Sequence, residues 1–300
     1  MTRCPACADT TVVVGPPSRR TGRRIHHCRR CGAHFWPDFQ DERRQYADEA
    51  QRSMSAENYS DWVDIKRETA GPEAWRAALT WITEALGSRG GETDAPVLYD
   101  VGAGDGQFLS IARDEAGFRV SGNEIVAGAV ELARERYGVD LDLGDLAELA
   151  HREDADVVTM WCVLAHVPNG DDLLRDSLTM LRPGGVLFLQ TPHWTGADGA
   201  ANALKRATSG RFSAIPDRRI AEHHWILHTR RSITALLTRL GYTDVVAEPK
   251  LRYTLTSRAY LASMNPPAWT LTPASWLLDK AVSSRLAPRI VLDVRARKPA

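Results

Sequence analysis

A glycine-rich stretch at residues 100–106, with the sequence Asp-Val-Gly-Ala-Gly-Asp-Gly, has the composition of a ligand-binding turn. Gly102, Gly104 and Gly106 lack Cβ atoms, so a ligand can approach the backbone and the chain can adopt positive φ angles. A pyrophosphate site requires the spacing G-x-G-x-x-G and an unopposed helix N-terminus. Here the spacing is G-x-G-x-G, and Asp100 and Asp105 would repel a phosphate. The stretch therefore predicts a nucleoside-type pocket for a cationic ligand rather than for NAD or ATP.

Four cysteines in two Cys-x-x-Cys pairs form a second group of residues that could do chemistry. Cys4 and Cys7 make the first pair, Cys28 and Cys31 make the second, and twenty residues separate the pairs. This is the spacing of a zinc site in which each tight turn supplies two thiolates. A redox pair is the alternative, but the presence of two pairs without a following βαβ pattern disfavours it. Because so short a segment has few apolar residues to bury, we expect zinc to stabilise its fold.

Histidines are the third such group, because an imidazole can remove a proton from an acceptor at neutral pH. The candidates that we expect near the ligand edge of the sheet are His166, His193, His223 and His224. His166 and His223 rank first among them as a general base. A purely structural role is the alternative for His166.

The elements that must position these residues alternate between strands and helices. An apolar run at 97–101 predicts a strand before the glycine turn, and 107–116 predicts a helix after it. Further strands are expected at 118–122, 139–143, 156–161, 186–190, 242–248 and 289–295, and further helices at 72–86, 126–137 and 171–181. Such alternation predicts an α/β fold whose ligands bind at the carboxyl ends of the strands.

Two residues at predicted strand ends extend the pocket. Glu124 follows the second strand about twenty residues after the glycine turn, where a carboxylate can accept hydrogen bonds from both hydroxyls of a ribose. The alternative is an exposed glutamate at a strand end. Trp161 ends the fourth strand, so we expect it to line the same pocket.

Four motifs in this order resemble the class I S-adenosylmethionine-dependent methyltransferases. They are Asp-x-Gly-x-Gly-x-Gly at 100–106, Glu124, Gly-Asp-Leu at 144–146 and Leu-Arg-Pro-Gly-Gly at 181–185. The resemblance covers roughly residues 95–248. It implies a Rossmann-like sheet of seven strands in the order 3-2-1-4-5-7-6, with the last strand antiparallel. It also implies S-adenosylmethionine, which has no phosphate but carries an ammonium, a sulfonium, a ribose diol and adenine.

The resemblance also implies roles for individual residues. Asp145 is expected near the adenine amino group, with a neighbouring backbone N–H near the ring; capping of a short helix is the alternative for Asp145. Related O-methyltransferases often carry Glu-His before Val-Pro and can hold a metal there, but Ala165 stands in place of the glutamate. The cofactor-binding set implied by the resemblance is Asp100, Gly102, Ala103, Gly104, Glu124, Asp145, Leu146 and Trp161.

The chain is long enough for one α/β domain and a smaller unit. We expect a zinc ribbon at 1–36, a linker and N-terminal helices at 37–95, and the methyltransferase domain at 96–300. Aromatic residues after the second cysteine pair resemble the zinc-ribbon leaders of bacterial small-molecule methyltransferases. Two insertions are expected within the large domain. The one at 195–220 has little periodicity and predicts a mobile segment over the site, whereas 249–288 predicts helices that wall the acceptor pocket.

Charge and hydropathy favour an enzyme that acts on small molecules. The chain has 38 basic and 38 acidic residues, so its net charge gives no general attraction to nucleic acid or membranes. No apolar run reaches the roughly 18 residues of a membrane span, and we expect a cytoplasmic protein. The predicted reaction is methylation of oxygen or carbon in a small-molecule acceptor, such as a specialised metabolite or a nucleotide-linked sugar. The alternatives are an RNA methyltransferase that grips RNA through its basic ribbon and a non-catalytic binding module.

Overall fold

The fold was analysed in a computed structural model. It describes residues 2–37, 55–57, 72–87, 95–149, 154–167, 169–213, 216–222, 224–251, 257–262, 268–282 and 287–300. Most of the predicted linker and His223 lie outside these residues.

The described residues form eleven strands in two sheets. In chain order the strands are β1 (Val12–Pro17), β2 (Arg24–Cys28), β3 (His34–Phe35), β4 (Val97–Val101), β5 (Arg119–Glu124), β6 (Asp142–Leu143), β7 (Ala155–Trp161), β8 (Leu181–Pro192), β9 (Ile226–Leu227), β10 (Thr243–Lys250) and β11 (Val291–Arg297). The larger sheet has the order β10-β11-β8-β7-β4-β5-β6. This is the predicted order 3-2-1-4-5-7-6 in reverse, and β11 is antiparallel to both of its neighbours. The predicted Rossmann-like topology is confirmed.

Helices connect most of these strands. They are α1 (Pro72–Leu86), α2 (Gln107–Ala116), α3 (Ala127–Tyr137), α4 (Gly170–Met180), α5 (Gly196–Ala207), α6 (Arg230–Arg239), α7 (Ser257–Ala262) and α8 (Ala268–Val282). A 3₁₀ turn (Leu146–Glu148) follows β6, and a π-helical turn (Asp217–Glu222) precedes β9. No helix in the described ranges combines the length and the apolarity that a bilayer crossing requires.

The sheet is central because its strands are apolar on both faces. In β7 the residues from Ala155 to Met160 are all buried, as expected for a parallel strand between two helical layers. One apolar cluster includes Leu79 of α1 and Leu109 of α2. A second includes Leu174 of α4 and Leu237 of α6, and it continues into the N-terminal segment through Phe35 and Trp36. The core of the large sheet and that of the N-terminal segment are therefore continuous.

The smaller sheet combines strands that are far apart in the sequence. Its order is β1-β2-β3-β9, so a strand from the second half of the chain closes the sheet of the first 36 residues. His34 pairs with Leu227, and Phe35 pairs with Ile226. Thr229 Oγ1 also donates a hydrogen bond to the carbonyl oxygen of Cys31 at 2.7 Å. The boundary predicted at residue 36 stays a prediction, but the small sheet crosses it.

The segment at 195–220, in which the sequence shows little periodicity, contains a regular helix, and its expected mobility stays a prediction. Residues 196–207 form α5, which begins with a capping box in which Thr195 and Asp198 bond to each other's backbone N–H groups. The pattern Thr-x-x-Asp at 195–198 was the available signal, and the alanine-rich sequence after it favours a helix. The expectation of helices within 249–288 is confirmed by α7 and α8.

Candidate active site

The glycine turn lies between β4 and α2, as predicted, and its geometry excludes side chains. Gly102, Gly104 and Gly106 have φ angles of 68°, 61° and 75°, which side chains disfavour. A Cβ atom on Gly102 would lie 2.8 Å from Cγ2 of Val163, which is shorter than a carbon–carbon contact allows. The turn therefore packs directly against the segment that follows β7.

Glu124 fastens this turn to the end of β5. Its carboxylate accepts hydrogen bonds from the backbone N–H of Gly104 at 2.9 Å, of Ile125 at 2.7 Å and of Val126 at 3.1 Å. Burial raises the pKa of the Glu124 carboxyl, and the three N–H donors oppose that rise. Glu124 as a whole is only 8% exposed. Glu124 thus lies beside the glycine turn, where the sequence predicts it, and also stabilises the turn.

Asp100 supplies a second buried carboxyl group at the start of the turn. It accepts a hydrogen bond of 2.6 Å from Thr159 Oγ1 on the neighbouring strand β7. Burial raises the pKa of Asp100 to about 8, and the nearby Glu124 carboxylate adds to the rise. A cationic ligand near this group would favour its charged form.

Asp145 and Leu146 lie at the next strand end. Asp145 caps the 3₁₀ turn, with its Oδ1 accepting from the N–H of Ala147 at 3.2 Å, so the capping alternative is present in the structure. Leu146 is buried. Asn123 connects this segment to β5 by donating from Nδ2 to the carbonyl oxygen of Gly144 at 2.9 Å. The adenine-binding role of Asp145 stays a prediction.

Val163 connects His166 to the glycine turn. The carbonyl oxygen of Val163 accepts a hydrogen bond of 2.9 Å from the N–H of His166, and the side chain of Val163 faces Gly102. The half-buried ring of His166 lies against His224, with ring centroids 4.9 Å apart. The structure thus brings His166 together with His224, the histidine adjacent to the predicted His223.

His224 and His193 share one feature that matters for proton transfer. Nδ1 of His224 lies 2.7 Å from the carbonyl oxygen of Arg219, and Nδ1 of His193 lies 2.5 Å from that of Arg289. Because a carbonyl oxygen can only accept, Nδ1 must carry the proton in each bond, and the neutral ring has its lone pair on Nε2. Burial lowers the pKa of His193 and favours its neutral form. In the neutral form of both rings the basic lone pair is therefore on Nε2.

The comparison with known proteins decides the family. The family described as Methyltransferase domain matches residues 72–247, which is more than half of the chain. The chain belongs to the class I S-adenosylmethionine-dependent methyltransferases.

Relatives of this methyltransferase include enzymes named for ubiquinone biosynthesis. The ubiquinone biosynthesis O-methyltransferase of Ralstonia nicotianae is 30% identical over 187 residues, a match that covers 57% of this chain and 77% of that protein. The enzyme of the same name from Aeromonas salmonicida is 32% identical over 120 residues, covering 38% of this chain and 48% of that protein. This chain thus spans about half the length of the latter relative.

A solved structure shares the fold. Phosphoethanolamine N-methyltransferase 2 of Haemonchus contortus, in complex with S-adenosyl-L-methionine, aligns with a TM-score of 0.58 at 17% identity. The alignment covers 86% of this methyltransferase and 60% of that chain. At this identity the likeness establishes the fold only.

Unsatisfied polar atoms at the carboxyl ends of the strands fit a polar ligand. Among the described residues, Asn123 Oδ1, Trp161 Nε1 and Thr191 Oγ1 are buried without a hydrogen-bond partner. Each belongs to a residue at or near the carboxyl end of its strand, β5, β7 or β8. Buried polar atoms without partners are uncommon in folded proteins, and a polar ligand that bonds to them is one explanation. The donor and acceptor set of this methyltransferase therefore fits S-adenosylmethionine.

Most of the Trp161 ring packs within the protein. It contacts Phe108 and Trp75 edge to face, with ring centroids 5.1 Å and 6.2 Å apart, and it contacts Phe188 at 5.1 Å. These aromatic residues join α1, α2 and β8 beneath the end of β7. A cofactor contact by Trp161 stays a prediction. Its packing against these aromatic residues was not predicted from the sequence.

A polar chain that the sequence did not indicate lies at the same edge of the sheet. Cys162 has a φ angle of 62°, and its Sγ donates to Gln190 Oε1 at 3.5 Å. Gln190 Nε2 donates in turn to Asp293 Oδ1 at 2.9 Å. Burial raises the pKa of Asp293. This chain joins β7, β8 and β11, and its members lie too far apart in sequence for a motif to reveal them.

The four cysteines meet as predicted. Their Sγ atoms all lie within 4.8 Å of one another, with Cys4 and Cys31 at 3.5 Å and Cys7 and Cys28 at 3.6 Å. A tetrahedral zinc with bonds of about 2.3 Å would separate its sulfur ligands by about 3.8 Å. The hydrogen bond between Cys4 and Cys31 lowers the pKa of the Cys4 thiol and raises that of the Cys31 thiol. The donor set therefore fits zinc.

An aromatic stack brings this cysteine unit to the carboxyl edge of the large sheet. The ring of His34 lies parallel to Trp194, with centroids 3.4 Å apart, and His27 stacks on the other side of His34 at 4.4 Å. Burial lowers the pKa of His34 to about 3, so its ring is neutral at ordinary pH. Trp194 directly follows His193. The N-terminal unit thus contacts the same edge as the candidate bases.

A cavity of about 550 Å³ lies at the opposite edge of the sheet. Its lining includes Val97, Arg119 and Ala155, which begin strands β4, β5 and β7. The glycine turn and the histidines lie where strands end. Ligands of this fold class bind at the carboxyl ends of strands, so this cavity is not the candidate active site.

Proposed function

We propose that this methyltransferase transfers a methyl group from S-adenosylmethionine to oxygen or carbon of a small-molecule acceptor. The observation that carries the proposal is the glycine turn with the buried Glu124 carboxylate bonded to it. When bound, S-adenosylmethionine supplies a methyl group on a positively charged sulfur. The residues proposed to hold it are Asp100, Gly102, Ala103, Gly104, Glu124, Asp145, Leu146 and Trp161, which we call the cofactor side.

The acceptor side consists of His166, His193, His224 and the predicted but undescribed His223. A hydroxyl or an acidic carbon must lose its proton as it accepts the methyl group, and a positioned histidine can take that proton. The sequence favours His166 and His223. The structure supports adding His224, because its Nδ1 bond to the carbonyl of Arg219 leaves the basic lone pair on Nε2.

We also propose that one zinc ion binds Cys4, Cys7, Cys28 and Cys31 and serves the structure. Zinc with four thiolates has no open position for catalysis. Its role here would be to fold the segment at 1–36 and thereby to hold His34 against Trp194. The cytoplasmic location expected from the sequence stays a prediction.

The RNA alternative receives less support. Residues 1–36 contain seven arginines, but five of them already contact groups of the protein. Arg24 and Arg30 donate to Gly15 O and Asp9, Arg19 donates to Ser209 O, Arg20 lies 3.9 Å from Asp217, and Arg23 stacks over Trp36. Each of these side chains has a partner within the protein, and those of Arg20 and Arg30 are 54% and 70% exposed. A small-molecule acceptor is also the simpler match to O-methyltransferase relatives.

The proposal is tested by incubating the purified protein with S-adenosylmethionine labelled in its methyl group and a fractionated bacterial extract. We expect label in small molecules, and little change with added salt. RNA labelling that weakens steeply with salt would instead support the RNA alternative, since phosphate contacts depend strongly on ionic strength. Calorimetry that detects no binding of S-adenosylmethionine would contradict both.

A further inference from the structure

Arg219 makes contacts on the acceptor side through both its side chain and its backbone. It lies on the π-helical turn, and its guanidinium is 13% exposed. Nη2 donates to the carbonyl oxygen of His193 at 2.7 Å, while the carbonyl oxygen of Arg219 accepts from Nδ1 of His224 at 2.7 Å. One residue therefore joins two of the candidate bases, which lie on separate segments of the chain.

The guanidinium is held by a fixed carboxylate. Nε of Arg219 lies 3.0 Å from Asp198 Oδ1, and Nη2 lies 3.2 Å from Oδ2. Asp198 Oδ2 also accepts from both N and Oγ1 of Thr195, each at 2.8 Å. Such a two-bond pair between guanidinium and carboxylate fixes orientation as well as distance. The start of α5 thus determines where the side chain of Arg219 points.

The π-helical turn is held at its first residue, Asp217, by contacts that include the N-terminal unit. Asp217 is completely buried, and its Oδ1 lies 3.2 Å from Nζ of the buried Lys205. Asp217 Oδ2 accepts from Ser18 Oγ at 2.5 Å, and Ser18 lies directly after β1. π-helical turns are rare and often occur at functional sites. The turn is therefore anchored at Asp217, two residues before Arg219.

We propose that Arg219 is the positioning residue of the acceptor side. Its side chain fixes the segment that carries His193. Its carbonyl oxygen keeps the proton of His224 on Nδ1, so that the lone pair on Nε2 is the one that acts as the base. Arg219 acts through the histidines and does not itself touch the methyl acceptor. This inference rests on the proposed methyl transfer.

Activity measurements separate positioning from cofactor binding. In Arg219→Ala we expect kcat to fall by about 100-fold, because a displacement of about 1 Å at reacting groups has an effect of that order. The affinity for S-adenosylmethionine, measured by calorimetry, should not change. Arg219→Lys should recover only part of kcat, since an ammonium cannot form the two-bond pair with Asp198.

Arg182→Ala is the matched control. Arg182 also pairs with a buried aspartate, Asp156, at 3.2 Å, but it lies at the other edge of the sheet. We expect this variant to lose thermal stability and to keep its kcat. If Arg219→Ala lowers kcat no more than Arg182→Ala does, Arg219 has no positioning role. Should Arg219→Ala fail to fold, Asp198→Asn weakens the same pair and must lower kcat in the same way.

A spectroscopic test does not depend on turnover. ¹⁵N chemical shifts of labelled histidine report which ring nitrogen carries the proton. At mildly alkaline pH we expect His224 to carry it on Nδ1 in the wild type. Arg219→Ala keeps the backbone carbonyl that accepts this proton but releases the π-helical turn from Asp198 and His193, so that the carbonyl can shift. We therefore expect the preference of His224 for Nδ1 to weaken in this variant, while the buried His228 stays unchanged. An unchanged His224 signal would overturn the proposal. If the wild type transfers no methyl group, the proposed function fails, and this measurement still judges the role of Arg219.

Discussion

The contacts that build the cofactor side join residues close in sequence, whereas those of the acceptor side join residues far apart in sequence. On the cofactor side, Gly104 and Glu124 are 20 residues apart, and Asn123 and Gly144 are 21 apart. On the acceptor side, the bond between His193 and Arg289 spans 96 residues. The bond between Ser18 and Asp217, which supports the π-helical turn, spans 199.

Because of this difference, the two sides depend on different parts of the molecule. The cofactor side is assembled from consecutive strand–turn units, so its geometry needs little from the rest of the molecule. The acceptor side needs the N-terminal unit, α5 and β11 to be in place together. Damage to the N-terminal unit should therefore disable the acceptor side and spare the cofactor side, and four measurements test that separation.

The largest effect is expected from removing the zinc ligands. Cys28→Ser combined with Cys31→Ser should abolish zinc binding, because structural zinc contributes on the order of 10 kcal/mol to the folding of such small units. Turnover should be lost, while S-adenosylmethionine still binds. Metal analysis and calorimetry provide the two readouts, with Cys162→Ser as the variant that should retain zinc. Zinc that persists in the double variant would contradict the assignment of the ligands.

The next largest effect concerns the base. Loss of the true base should lower turnover by about 100-fold to 10,000-fold and leave cofactor affinity nearly unchanged, since the imidazole acts on the acceptor. The variants to compare are His166→Ala, His223→Ala and His224→Ala, each with its cofactor affinity. Near-full turnover in all three would show that none of these histidines is the base.

A smaller effect is expected on the cofactor side itself. Glu124→Ala should weaken S-adenosylmethionine binding by about 2 to 4 kcal/mol, because it removes charge-assisted hydrogen bonds. The same change leaves the N–H of Gly104 without its acceptor, so part of the loss would reflect a disturbed turn. Glu124→Gln keeps an acceptor oxygen and removes the charge, and it should give an intermediate loss by calorimetry. Unchanged affinity in both variants would exclude Glu124 from the site.

The last prediction concerns stability rather than binding or turnover, and it is a dependence of stability on pH that arises from Asp100. Burial raises its pKa to about 8, so the folded protein binds this proton more tightly than the unfolded chain does. The free energy of unfolding should therefore fall as pH rises from about 4, the ordinary pKa of aspartate, towards 8. Urea unfolding of the wild type and Asp100→Asn at several pH values measures the difference. A difference that does not vary with pH would show that the carboxyl group titrates normally.

The sequence separation of the contacting residues also explains what could be predicted from the sequence. The glycine turn, Glu124 and the strand order were predictable, because each motif follows its own strand and the motifs recur in a fixed order. The pairing of the cysteines was predictable from their spacing alone. These features are local, or they depend on a pattern that repeats along the chain.

The remaining features are decided by tertiary contacts. β9 has only two residues, Ile226–Leu227, which is too short to show a strand period. No sequence motif connects Arg219 with Asp198, His193 or His224, the three residues whose atoms it bonds. The helix α5 had usable signals in its capping box and its alanines, and the glycines in the same stretch obscured them.

The two-residue strand β9 also affects the order of events during synthesis. The first 36 residues leave the ribosome early, but the bond from Thr229 to Cys31 requires a partner 198 residues further on. At roughly 5 to 20 residues per second, that partner appears about 10 to 40 seconds later. Residues 1–36 must therefore remain without their closing strand until the chain has been translated past residue 227.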